Sequence, residues 1–138
     1  MSINEIQDEI IEEFSLTDEW MDRYQMIIDY AEELPKKNDA IRTKQNLIEG
    51  CQSNVWFTAR LEDGKVIYEG DSDALLVKGI VAMLIHVLSG HTPEEIVNAD
   101  LYFIDAIQLR GHLSPTRSNG IAAMLKQMRL YALALINA

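Results

Sequence analysis

The chain has 138 residues and a mass of 15.7 kDa, with 22 acidic against 12 basic side chains and a formal charge of -10. That is the size of one domain, and 48% apolar with 25% charged residues is the composition of a folded globular protein. The acidic balance speaks against binding nucleic acid or anionic lipid, which both call for clustered Lys and Arg, and a single cysteine excludes an internal disulfide, a four-thiolate zinc site and a self-contained iron–sulfur cluster.

In chain order, Ser2 with Glu5 forms a capping box, and Ile3, Ile6, Ile10 and Phe14 behind it make one helical stripe. This start has no basic residue and no apolar core, so it does not read as a secretory signal. Thr17, followed by Asp18 and Glu19, predicts a second helix, apolar at Trp20, Tyr24, Ile27, Ala31 and Leu34 and ended by Pro35. Residues 36–44 are polar and irregular and read as a loop. The period then changes. Val55, Phe57, Ala59 and Leu61 alternate with Trp56, Thr58 and Arg60, Asp63-Gly64 is a tight-turn pair, and residues 65–69 return as a second strand of a hairpin.

Residues 46–49 are read as a third strand, which leaves Gly50-Cys51-Gln52-Ser53 as a connection between strands with Cys51 at its tip. Ser72 or Asp73 is expected to cap a helix over residues 74–88 that is apolar almost all round, hence central and buried, and closed by Gly90. That run is too short to span a bilayer. Thr92-Pro93-Glu94-Glu95 carries a cap, a proline at the first helical position and a capping glutamate. A short apolar segment covers residues 101–109, and Ser114-Pro115 opens a last helix with its stripe at Ile121, Met124, Leu125, Met128, Tyr131 and Leu135. No repeat or linker interrupts the pattern, so residues 1–138 are expected to form one α+β domain, a small antiparallel sheet packed with helices from both chain ends. The expected location is the cytoplasm.

Cys51 draws attention because its neighbours Gly50, Gln52, Ser53 and Asn54 are polar or flexible rather than apolar. Such a loop presents a group more readily than it packs one. A thiolate is a strong nucleophile whose fraction rises beside a cation, and Arg117, in the first turn of the last helix, is a candidate neighbour. Without a second cysteine, any covalent sulfur chemistry passes to or from another molecule. The histidines carry less: His86 is expected to be a buried core residue, His91 a solvated turn residue, and His112 a polar structural residue within reach of Cys51 as a base. No two share metal-ligand spacing, and no phosphate loop, nucleophile elbow or carboxylate pair is present.

Three blocks together resemble the SufE family of sulfur-acceptor proteins: Asn46-Leu47-Ile48-Glu49-Gly50-Cys51-Gln52-Ser53-Asn54-Val55-Trp56, Gly70-Asp71-Ser72-Asp73-Ala74-Leu75-Leu76-Val77-Lys78-Gly79, and Leu113-Ser114-Pro115-Thr116-Arg117-Ser118-Asn119-Gly120. The resemblance spans nearly the whole chain. Glu49 departs from the neutral polar residue common there and adds charge beside the thiol. The resemblance implies a fold similar to IscU-type scaffolds and a partner, a pyridoxal-phosphate cysteine desulfurase of SufS or CsdA type. That partner holds sulfur as a persulfide and passes it to Cys51, from which it travels toward an iron–sulfur scaffold. It further implies that Gly50, Gln52, Ser53, Asp73 and Arg117 position the loop or grip the partner, that this chain binds no metal or cofactor of its own, and that pyridoxal phosphate belongs to the desulfurase. A homodimer is compatible with the sequence. The alternative is a non-covalent activator that docks on the desulfurase without carrying sulfur; a Cys-dependent hydrolase or peroxidase using His112 is a more distant reading.

Overall fold

The computed structural model describes residues 1–51, 53–110 and 115–137, with residues 115–118 described by their backbone alone. Its elements run α1 (Ile3–Phe14), α2 (Trp20–Tyr30), β1 (Val55–Glu62), β2 (Lys65–Ser72), α3 (Leu75–Leu88), α4 (Pro93–Asn98), α5 (Phe103–Ala106) and α6 (Pro115–Leu135), with 3-10 turns at Ala31–Glu33 and Lys44–Asn46. The architecture is α+β, with helices from both chain ends around one antiparallel hairpin.

The two terminal signals nearest the surface form as the local chemistry requires. Ser2 Oγ accepts the Glu5 N–H at 3.0 Å while Glu5 Oε1 accepts the Ser2 N–H at 3.0 Å, and Thr92 and Glu95 repeat the arrangement at the start of α4. On α1 the buried positions are Ile3, Gln7, Ile10 and Phe14, with Ile6 only half-buried. Gln7 takes the core position by bonding the backbone: its Nε2 donates to the Asp100 carbonyl at 3.0 Å and its Oε1 accepts the Phe103 N–H at 3.1 Å, which docks α5. The second helix starts later than expected, at Trp20, with Glu19 in the cap position; Thr17, two residues before it, accepts the Glu19 N–H on its Oγ1 instead of capping the helix. Arg23 of α2 is buried and satisfied by the carbonyls of Phe14, Thr17 and Ile107.

In the hairpin, Val55 pairs with Ser72 at one end and Glu62 with Lys65 at the other. Asp63 and Gly64 turn the chain with φ of 52° and 77°, the two left-handed residues that a two-residue hairpin loop of this twist needs. The expected third strand does not form. Lys44–Asn46 is a 3-10 turn, and only Leu47 bridges Trp56 before the Ile48 N–H donates to Val55 and the chain turns away. Gly50, at φ 91°, makes that departure.

Ten of the fourteen residues of α3 are buried, and the helix lies between α2 on one side and the hairpin on the other. Two glycines permit this. A side chain at Gly79 would overlap the Ile27 carbonyl of α2, and one at Gly70 of β2 would run into Val81 of α3. Lys78, the charge within the apolar run, is buried with its Nζ donating to the Pro35 and Lys36 carbonyls at 2.6 and 2.8 Å.

The expectations for two histidines are reversed. His86 is exposed, with Nδ1 3.1 Å from Glu33 and its ring edge-on to Tyr30. It follows the exposed Leu75 by eleven residues, three helical turns, and so falls on the stripe that the core leaves uncovered. His91 is the buried one, its Nδ1 against the Leu88 carbonyl and its Nε2 against the Met1 carbonyl at 3.2 and 2.9 Å. His112 and Ser114 lie outside the described residues.

Candidate functional site

Residues 48–54 leave the sheet at the Ile48–Val55 bond and return beside it, so Cys51 sits at the far end of a short closed loop. Its side chain is half-buried. Sγ lies 3.7 Å from the Gly120 carbonyl of α6, over an apolar cavity of about 20 Å³ lined by Ser53, Val77, Ile80, Ile121 and Met124. Burial pushes the Cys51 thiol above its ordinary range, so at neutral pH the resting group is the uncharged S–H.

The loop is fastened by Asn54. Asp73 accepts its backbone N–H at 3.1 Å on one carboxylate oxygen and its side-chain amide at 2.9 Å on the other, while Ser72 Oγ donates to its carbonyl at 2.8 Å. Neither residue therefore caps α3 as expected: Ala74 holds that position with no side-chain cap bond. The carboxylate expected to complete a helix terminus instead holds the thiol-bearing loop. Ser53 lines the cavity beneath Cys51. Gln52 and the side chain of Arg117 lie outside the described residues; the Arg117 backbone belongs to α6, one turn before Gly120.

Beneath the loop lies a charged hub that sequence reasoning missed. Asp71 has no exposed surface and accepts hydrogen bonds from Arg42 Nε at 2.7 Å, the Asn38 N–H at 3.0 Å and the Ser72 N–H at 2.9 Å, and it pairs with Lys78 at 3.2 Å. Burial opposes the charge, yet these donors outweigh it and hold the Asp71 carboxyl below the usual carboxylate range. The Arg42 guanidinium also stacks on the Trp56 ring at 4.7 Å, and Trp56 is the residue that bridges Leu47 at the base of the loop. The signal for this hub was Lys78 itself: a lysine inside an apolar helix requires a buried partner. What the sequence withheld was that the partner is Asp71, seven residues upstream on another element.

Residues 8–132 match the family described as the SufE Fe-S metabolism associated domain. The chain belongs to the SufE family. An uncharacterized SufE-like protein of Synechocystis is 43% identical over 125 residues, covering 91% of this chain and 79% of that protein. A second, from Rhizobium meliloti, is 38% identical over 127 residues, covering 88% of this chain and 91% of the relative. Among solved structures, that of a hypothetical protein from Thermus thermophilus superposes with a TM-score of 0.79 at 21% identity, over 96% of this chain and 97% of that one, which establishes the shared fold. Membership associates the chain with iron–sulfur metabolism. Among the described residues of this SufE-family protein, no group of three metal-ligating side chains converges and no helix is long and apolar enough to cross a membrane.

Proposed function

We propose that this protein is a cytoplasmic sulfur acceptor that takes persulfide sulfur from a pyridoxal-phosphate cysteine desulfurase onto Cys51 and hands it toward an iron–sulfur scaffold. The observation that carries the reading is the chain's single thiol at the end of a fastened loop, turned inward over a cavity of atomic dimensions. A nucleophile meant to attack small diffusible substrates gains nothing from that position. One that waits for a protein donor gains protection, since oxidation follows exposure and thiolate character.

In the resting state the thiol is neutral and shielded. Docking of the loaded desulfurase breaks the Asp73–Asn54 contacts, residues 48–54 turn outward about Gly50, and Cys51 enters water, where its thiolate fraction rises. The thiolate attacks the outer sulfur of the donor persulfide. A bond forms between that sulfur and Cys51 Sγ, the donor's sulfur–sulfur bond breaks, and its inner sulfur leaves as thiolate, so no external oxidant or reductant is consumed. Return of the loop shelters the outer sulfur, and a second exchange of the same kind delivers it onward. Pyridoxal phosphate stays with the desulfurase throughout. Gly50 supplies the bend, Ser53 the cavity wall and Asp73 the fastening; Gln52 and Arg117 are assigned to the contact with the partner.

The test mixes the protein with a SufS-type desulfurase and cysteine and follows Cys51 by mass spectrometry. One added sulfur on Cys51, and loss of desulfurase stimulation in Cys51→Ser, are expected. Full stimulation by Cys51→Ser would replace the carrier with an activator that never holds sulfur.

A further inference from the structure

Residues 36–44, read from the sequence as a plain loop, bring one cation to the base of the thiol-bearing loop. Ile41 is buried and the Asn38 N–H reaches Asp71, so this segment lies against the hairpin and carries Arg42 with it. The Arg42 side chain is 22% exposed. Its Nε donates to Asp71 Oδ2 at 2.7 Å, its Nη2 to the Ser72 carbonyl at 3.4 Å, and its Cζ lies over the Trp56 ring, 4.7 Å from the centroid. Trp56 and Asp71 are partners across the hairpin, so their side chains stand on the same face and one guanidinium spans both strands. These strand ends are where residues 48–54 are anchored: Leu47 bridges Trp56, Ile48 donates to Val55, and Ser72 and Asp73 hold Asn54. The entering chain is tied as well, since Asn46 Nδ2 donates to the carbonyl of Ile41, the neighbour of Arg42, at 3.1 Å.

Neutralising Asp71 does not by itself call for Arg42. Lys78 pairs with the same carboxylate at 3.2 Å, and the Asn38 and Ser72 N–H groups donate to it. What a guanidinium adds is shape: one N–H for the carboxylate, another for a backbone carbonyl, and a flat face for the indole, where an ammonium offers a single compact charge. We propose that Arg42 is a positioning residue for Cys51. By clamping Trp56 to Asp71 and Ser72 it fixes the end of the hairpin so that Ser72 and Asp73 stay aimed at Asn54, and it thereby sets how often residues 48–54 swing out and present the thiol. Among the described residues, its hydrogen bonds and ring contact fall on Asp71, Ser72 and Trp56 rather than on Cys51, so it acts through the fastening of Asn54. The consequence for function rests on the reading of Cys51 as a sulfur acceptor: a clamp at this place decides how readily the thiol meets its donor.

The experiment follows alkylation of Cys51 by iodoacetamide in the full-length protein across pH, a readout that needs no desulfurase and so stands or falls apart from sulfur transfer. Arg42→Lys keeps a charge beside Asp71 but loses the carbonyl bond and the indole contact. Its rate at pH 7 is expected to rise about five-fold, with the midpoint of the pH profile moving down, and Arg42→Ala is expected to rise at least as far. The increase should stay flat up to about 1 M urea, as local opening does, rather than climb with the steepness of global unfolding. In an Asp73→Ala background, where the Asn54 contacts are already free, Arg42→Lys should add less than about two-fold. Arg60→Lys, which alters an exposed ion pair with Glu69 on the same hairpin, serves as the control and should leave the rate unchanged. A wild-type rate and midpoint in both Arg42 variants, an undiminished effect of Arg42→Lys without Asp73, a rate that tracks global unfolding in urea, or an equal rise in Arg60→Lys would each overturn the proposal.

Discussion

At the scale of single residues, the proposed sulfur transfer turns on the half-buried state of the Cys51 thiol. Desolvation alone raises its pKa, so the midpoint of thiolate formation lies above the value of about 8.5 for a free thiol. The rate of alkylation by iodoacetamide should accordingly rise with a midpoint above that of free cysteine. In Asp73→Ala, which frees both contacts to Asn54, the midpoint should move down toward the ordinary value and the rate at pH 7 should increase several-fold. A wild-type profile already matching free cysteine would mean that the inward position is not the one the loop rests in. Asp73 thus acts on the thiol through Asn54, without touching it.

Among the elements, the α2–α3 contact is the one that a single methyl group would break. Gly79 lies against the Ile27 carbonyl, and a backbone atom cannot swing aside as a side-chain tip can. Gly79→Ala would improve helix propensity in an isolated peptide, yet here it forces the two helices apart. Overpacking of this kind costs about 3 kcal/mol and should lower the melting temperature by roughly 10 °C in thermal denaturation. An unchanged melting temperature would show that α2 can retreat freely. Because the first turn of α3 also supplies Val77 to the Cys51 cavity, the same variant should expose the thiol to faster alkylation.

For the molecule as a whole, Asp71 joins three parts of the chain: the loop with Asn38 and Arg42, the end of β2, and Lys78 of α3. Its folded pKa lies below its unfolded value, so the carboxylate stabilises the fold above an unfolded pKa of about 3.9, and that contribution is lost as pH falls through the lower folded value. Asp71→Asn leaves Lys78 buried without its counter-charge and should cost on the order of 3 kcal/mol at pH 7 in denaturant unfolding. It should also flatten the acid limb of the stability curve, because the group that titrates there is gone. A variant retaining the wild-type acid limb would assign that limb to other carboxylates.

How much of this was legible beforehand follows from the range of the interactions involved. Both capping boxes, the Asp63-Gly64 turn and the hairpin depend on residues a few positions apart, and each could be read from the chain. The neighbours of Cys51 and the three sequence blocks likewise marked the loop before any coordinates. Apart from the late start of α2, the errors lie where burial or pairing depends on how elements pack. His86 and His91 exchanged environments because burial depends on which stripe of α3 the core covers and on where Met1 returns. Residues 46–49 stopped at one bridge because a strand needs a neighbour along its length, and the chain departs at Gly50. By itself the sequence determined the hairpin, the capped starts of α1 and α4 and the position of the single thiol, since local propensity and residue chemistry suffice for those. Only the tertiary structure decided that this sulfur rests against the Gly120 carbonyl, that Asp73 fastens a loop instead of capping a helix, and that Asp71 meets Lys78, because each depends on how separate elements pack side by side.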